Sequence, residues 1–253
     1  MLVSGAPRIA LSVAGRGPLL LFLHGIGGNR AHWAPQLTFF SRSYRAAAWD
    51  ARGYGDSDDY EGPLQFADFT ADLLRVLDHL KAARAHIVGL SMGGRIARNF
   101  ALKHPDRVAT LTLANTSPGF DALSPQEVLK YVEERTSGTP PAARRLLGSR
   151  AGPGAQEALL ASFHALRNDS YLKTLEASVS QDRGAPLEKL AVPTLVITGD
   201  EDRVYPPALA QHMAQRIPGA ELVVLEGCGH LSNLEQPERF NAALLGFLVK
   251  QAA

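Results

Sequence analysis

The chain has 253 residues, 45% of them hydrophobic and 20% charged, with a formal net charge of +1. That length and balance suit one large α/β domain, or one domain carrying an inserted piece, with enough apolar residues for a sizeable core. Near-neutral charge gives no reason to expect nucleic acid or a membrane surface as partner. A lone cysteine, Cys228, rules out an internal disulfide framework and a thiolate metal site.

The opening stretch MLVSGAPRIALSVAGRGP lacks the charged start, long apolar run and cleavage site of a secretory signal. With the single cysteine, this sets a cytoplasmic location as the expectation. IALSV (9–13) alternates like a strand exposed on one side. LLLFL (19–23) is continuously apolar but far too short for a bilayer. AAAW (46–49), HIVGL (86–90), VATLTLA (108–114), TLVIT (194–198) and ELVVL (221–225) are runs of the same kind. FADFTADLLRVLDHLKA (66–82) has helical period, with Phe66, Phe69, Leu73, Leu77 and Leu80 on one face. RIARNFALKH (95–104) and PERFNAALLGFLVKQ (237–251) read as helices too. Strands alternating with helices predict an α/β fold: a mostly parallel, doubly wound sheet covered on both faces.

One segment breaks the alternation. From 117 to 189 no strand is predicted, only short helices separated by SGTPP, SRAGPG and QDRGAP. This reads as a helical cap, or lid, inserted into a core made of residues 1–116 and 190–253. There is no internal repeat and no low-complexity tract.

The chemistry gathers at turns that follow the strands. Gly89-Leu90-Ser91-Met92-Gly93 is G-x-S-x-G after a strand and before a helix, the pattern of a sharp turn that lifts a serine hydroxyl above a sheet. A serine needs a base and an acid to orient it. Of eight histidines, His230 in GCGH stands directly after a strand, at the carboxyl edge where open sheets place their sites. The acid belongs after TLVIT, in Gly199-Asp200-Glu201-Asp202-Arg203. Asp202 is assigned the orienting role. Asp200, the rival, is expected to cap its own turn. The other place for an acid, after 108–114, holds Asn115-Thr116 and no carboxylate.

Attack on a carbonyl makes an oxyanion, which needs preplaced donors. The Met92 N–H, just after the serine, is one; the Ile26 N–H in His24-Gly25-Ile26-Gly27-Gly28 is the other. His24, Gly25 and Trp33 are assigned to the substrate pocket beside that loop, with helix packing the alternative for Trp33. Asp50 and Arg52 in DARGYGDSD read as turn-fixing residues, Cys228 as a small apolar filler, and AARRLLGSR (142–150) as a solvated basic face.

HGIGG (24–28), DARGYGDS (50–57), GLSMGG (89–94), GDEDRVYPP (199–207) and GCGHLSNLEQPERFN (227–241) together resemble the α/β-hydrolase fold over nearly the whole chain. Within that superfamily, GHLSNLEQPERFN, LSMGGRIARNFAL and SYLKTLEA are most similar to 3-oxoadipate enol-lactonases and related carboxylesterases. The resemblance implies hydrolysis of a small ester or lactone without metal or cofactor. It also implies a triad of Ser91, Asp202 and His230 and an oxyanion hole at Ile26 and Met92. C–C bond hydrolysis of ring-cleavage products, perhydrolysis, or ligand sensing on the same scaffold are the other readings. Serine rather than aspartate at the turn argues against dehalogenase or epoxide hydrolase chemistry. The cap holds nine basic and nine acidic residues, a balance that does not single out an anionic substrate.

Overall fold

The computed structural model describes residues 1–120, 124–136 and 145–252. Its strands are β1 Leu2–Val3, β2 Ile9–Ala14, β3 Leu19–Leu23, β4 Arg45–Trp49, β5 Ala85–Leu90, β6 Val108–Ala114, β7 Thr194–Gly199 and β8 Glu221–Leu225. They form one sheet in the order β1-β2-β4-β3-β5-β6-β7-β8. Every pairing from β4 to β8 is parallel, and β1 and β2 run antiparallel. This is the mostly parallel, doubly wound sheet that the alternation predicts.

The core has two layers because β3 feeds both. Leu21 and Leu23 pack with Phe69 and Leu73 of α2 (Phe66–His79), with Ile96 and Phe100 of α3 (Met92–Lys103), and with Met213 of the helix Pro207–Arg216. Leu20 and Phe22 point the other way, to Phe40 of α1 (Ala34–Phe40) and to Phe240, Leu244 and Phe247 of the C-terminal helix Pro237–Ala252. Each such side chain, fully buried, contributes about 1.5–3 kcal/mol. Strands covered on both faces need continuous apolar runs, which is why LLLFL was readable.

Three expectations change. β2 does not alternate: Ile9, Ala10 and Leu11 are all buried. The loop after β4 lies over this strand, and the Ala10 N–H donates to Ser57 Oγ at 2.8 Å. β8 is not buried on both sides, since Leu222 and Val224 are exposed at the sheet edge. α2 stops at His79, and Lys81 adopts a left-handed backbone with φ 52°.

Between β6 and β7 lie α4 (Pro125–Thr136), α5 (Pro153–His164) and α6 (Asn168–Ser180). The SGTPP stretch and residues 142–144 of the basic cluster fall outside the described residues. Both ends of the insertion are tied together: the Phe120 N–H donates to Asp182 O and the Ala185 N–H to Pro118 O, each at 3.0 Å. Beneath them the buried Asp182 carboxylate accepts hydrogen bonds from Arg98 at 2.6 Å, Asn99 at 2.9 Å and Arg95 at 3.2 Å, all on α3. The insertion is thus anchored to the helix that follows Ser91. Removing one partner of such a buried ionic group leaves the rest uncompensated and costs about 3–5 kcal/mol. After the insertion come α7 (Pro207–Arg216), α8 (Ser232–Glu235) and α9 (Pro237–Ala252).

Candidate active site

Parallel strands end at one edge, so the turns after β3, β5, β7 and β8 meet there. Ser91 follows β5 directly with φ 56° and ψ −117°, a left-handed conformation that non-glycine residues rarely adopt. The strain is held by partners. The Ser91 N–H donates to Ala114 O at 2.9 Å, and Ser91 O accepts from Thr116 Oγ1 at 2.6 Å. Two glycines make the turn sterically possible. A Cβ at Gly89 would collide with Gly93 O, and one at Gly93 with Leu23 O. α3 therefore begins immediately after Ser91, earlier than the sequence periodicity places it.

The three residues assigned to the triad come together and are buried. Ser91 Oγ lies 2.9 Å from His230 Nε2, and His230 Nδ1 lies 2.9 Å from Asp202 Oδ2. Asp202 Oδ1 accepts from the N–H groups of Val204 and Tyr205, both at 2.9 Å. Burial pushes the Asp202 carboxyl up. The charge and hydrogen bond of His230, with the donors at Tyr205 and Asn115, outweigh it and hold the group below its ordinary range. Asp200 caps the neighbouring loop rather than its own turn, accepting from Gly227 N–H at 2.7 Å and Cys228 N–H at 3.3 Å.

The loop after β3 packs on Ser91: a Cβ at Gly25 would stand 3.0 Å from the Ser91 Cβ. Among the described residues, neither the Ile26 nor the Met92 N–H has an acceptor, so both remain able to donate. His24 faces inward instead of lining a pocket. Its Nδ1 donates to Gly25 O at 2.8 Å and its Nε2 accepts from Ala51 N–H at 3.0 Å, so both ring nitrogens are engaged in bracing the loop. Of the two places left open for Trp33, its contacts describe packing: it is fully buried, 4.9 Å centroid to centroid from Phe22 and 5.9 Å from Phe240. Asp50 accepts from Arg30 and from the Asp56 N–H, and Arg52 pairs with Asp72, so both fix loops. Cys228 is fully buried, and burial pushes its thiol up, as an apolar filler requires.

Two residues that the motifs passed over belong to the same constellation. Asn115 has φ 45° and donates to Asp202 Oδ2 at 3.1 Å and Gly229 O at 3.0 Å, while its Oδ1 accepts from Ser232 Oγ. Glu235 accepts from main-chain groups on both sides of His230. The signal for Asn115 was its place, one residue past a parallel strand at the site's edge. Among the described residues no cluster of three or more His, Cys, Asp and Glu could hold a metal ion. No helix there is long and apolar enough to cross a membrane.

His32, just beyond the loop after β3, is buried, and burial together with the nearby His24 lowers its imidazole to about 4. The unfolded chain takes up this proton near pH 6.5 and the folded chain only near 4, so stability falls as pH drops through that window. The full contribution is about 3 kcal/mol. Urea melts at pH 7 and pH 4.5 should show the parent losing more stability than His32→Phe; equal losses would place the acid sensitivity elsewhere.

The model of the alpha/beta hydrolase family matches residues 20–243. The 3-oxoadipate enol-lactonase 2 of Acinetobacter baylyi is 32% identical, over 94% of this chain and 93% of its own length. The 2-hydroxy-6-oxononadienedioate/2-hydroxy-6-oxononatrienedioate hydrolase of Paraburkholderia phymatum is 33% identical, over 93% of this chain and 88% of its own. The crystal structure of the enol-lactonase from Burkholderia xenovorans superposes with a TM-score of 0.86 at 29% identity, covering 96% of this chain and 97% of that one. With the sheet, the turn at Ser91 and the family match in agreement, the chain belongs to the alpha/beta hydrolase family.

Proposed function

We propose that this protein is a serine hydrolase of small carboxylic esters or lactones that works through an acyl-enzyme. The observation that carries the reading is the unbroken line from Asp202 through His230 to Ser91, with both links at 2.9 Å. His230 Nε2 takes the proton as Ser91 Oγ attacks the carbonyl carbon, and Asp202 holds the opposite nitrogen protonated. The developing oxyanion is met by the Ile26 and Met92 N–H groups. His230 then protonates the leaving oxygen, and a water, deprotonated by the same nitrogen, releases the acid. Residues 117–189 act as the cap over this edge and select the acyl group, with Phe163 of α5 already packed against the site's loop at Gly27. Free, buried Cys228 suits a reducing cytoplasm.

The enol-lactone reading draws on the Acinetobacter and Burkholderia relatives. The Paraburkholderia relative favours cleavage of a C–C bond beside a carbonyl as the second reading. A pH-stat and absorbance panel separates them. It holds short-chain esters, saturated lactones, a carboxylate-bearing enol-lactone and a 2-hydroxy-6-oxo-dienoate. The proposal expects an ester or lactone to lead in kcat/KM by at least about tenfold; a lead for the dienoate would overturn it in favour of C–C hydrolysis.

A further inference from the structure

Glu235 serves none of the steps above, yet it is a carboxylate left only 6% exposed. It closes α8, five residues beyond the base. Oε1 accepts from the Leu231 N–H at 2.9 Å, and Oε2 accepts from the N–H groups of Gly229 at 3.0 Å and Gly148 at 2.7 Å. Gly229 and Leu231 flank His230. Gly148 belongs to the insertion between β6 and β7. The main-chain N–H of His230 itself donates to Leu146 O at 2.7 Å, again in the insertion. The two backbones meet without side chains between them. A Cβ on Gly148 would lie 2.5 Å from Gly229 N, and one on Gly229 would lie 2.5 Å from Gly148 N.

The same stretch of the insertion grips the neighbouring loops. Ser149 donates through its N–H at 2.7 Å and its hydroxyl at 2.6 Å to Glu201, the residue before Asp202. The Arg150 N–H donates to Gly227 O at 3.0 Å. Residues 146–150 thus form a strap across the loops that carry both the acid and the base, with Glu235 at its centre.

We propose that Glu235 is a positioning residue: its carboxylate locks the main chain on both sides of His230 to the strap and so sets the imidazole over Ser91. The inference rests on the serine-hydrolase reading. All three main-chain donors need an acceptor oxygen, and an amide nitrogen in place of either carboxylate oxygen cannot supply one. Burial raises this carboxyl above its ordinary range, and the three main-chain donors offset that only in part. The substitution Glu235→Gln would keep the shape but turn an NH₂ toward N–H groups that need an acceptor. Removing the charge also withdraws an anion that favours protonated His230, so the acid limb of the reaction profile should move to lower pH. Glu235→Asp keeps the charge and loses the reach.

The test is the second-order rate at which a fluorophosphonate labels Ser91, measured from pH 5 to 9, which needs no knowledge of the natural substrate. Glu235→Gln should label about 10–100-fold more slowly, the loss expected when a catalytic group shifts by a fraction of an ångström, and its acid limb should move down in pH. Glu235→Asp should slow labelling without moving the limb. A folded Glu235→Gln with parental rate and parental limb overturns the proposal. If that variant does not fold, amide exchange in the parent decides. The N–H groups of Gly148, Gly229 and Leu231 should share one protection and open together; independent opening overturns it. If the parent labels no faster than Ser91→Ala, the serine-hydrolase reading falls, and the amide exchange still shows whether the strap exists.

Discussion

Ser91→Ala is expected to lower kcat/KM on the best ester or lactone by roughly 10⁴ to 10⁶-fold, about 5–8 kcal/mol of transition-state stabilisation. The loss should be large because, among the described residues, no other nucleophile is positioned to substitute. Thr116 Oγ1 is committed to Ser91 O at 2.6 Å, and the Cys228 thiol is fully buried and held protonated. The activity that remains would come from substrate binding and the Ile26 and Met92 donors, which the substitution leaves in place. The strained backbone at φ 56° favours alanine no more than serine, so thermal stability should change little and the loss can be assigned to chemistry. Burst kinetics with a chromogenic ester check this directly. The parent should release close to one equivalent of leaving group before steady state, and the variant none. A variant that keeps both burst and turnover would remove Ser91 from the reaction.

The strands of the central sheet were legible because a parallel strand covered on both faces has no choice but a continuous apolar run. β1, two residues long, carries no such pattern. β2 misled because its burial reflects a neighbour far along the chain, the loop around Ser57, that no local window contains. The candidate site divides the same way. Ser91, Asp202 and His230 each stand in the loop that follows a strand, in a stretch rich in glycine, so position and residue type pointed to them, and the structure brings them within hydrogen-bond distance. His24 and Trp33 were placed by adjacency alone, and adjacency does not say which way a side chain faces. Asn115 was noticed only as a missing carboxylate. Its part is to donate to the Asp202 carboxylate, in the loop that follows another strand. Glu235 stands in the stretch after His230 with no role in the sequence, and gains one only when residues 146–150 fold over it, with Gly148 87 positions distant in the chain.

Asp202→Asn is the second large effect, about 10³ to 10⁴-fold in kcat with little change in KM. Four donors converge on this carboxylate: the Val204 and Tyr205 N–H groups on Oδ1, and His230 Nδ1 and Asn115 Nδ2 on Oδ2. In the amide, the oxygen stays with the two main-chain donors, since a loop N–H cannot turn away. The NH₂ then faces His230, and the imidazole answers by moving its proton from Nδ1 to Nε2. That tautomer donates to Ser91 Oγ at a place where it must accept, so the serine keeps its proton. Asn115 would also point a donor at a donor, adding some loss of stability. Asp200→Asn is the matched control. Among the described residues its carboxylate serves the Gly227 and Cys228 N–H groups, from both of which an amide oxygen can still accept, so kcat should stay within about tenfold of the parent. The comparison has a direction as well as a size: the defect at 202 should grow less severe as pH rises, when hydroxide can relieve the need for a base, whereas a defect at 200 should not depend on pH. A larger loss at 200 than at 202 would reverse the assignment of the acid.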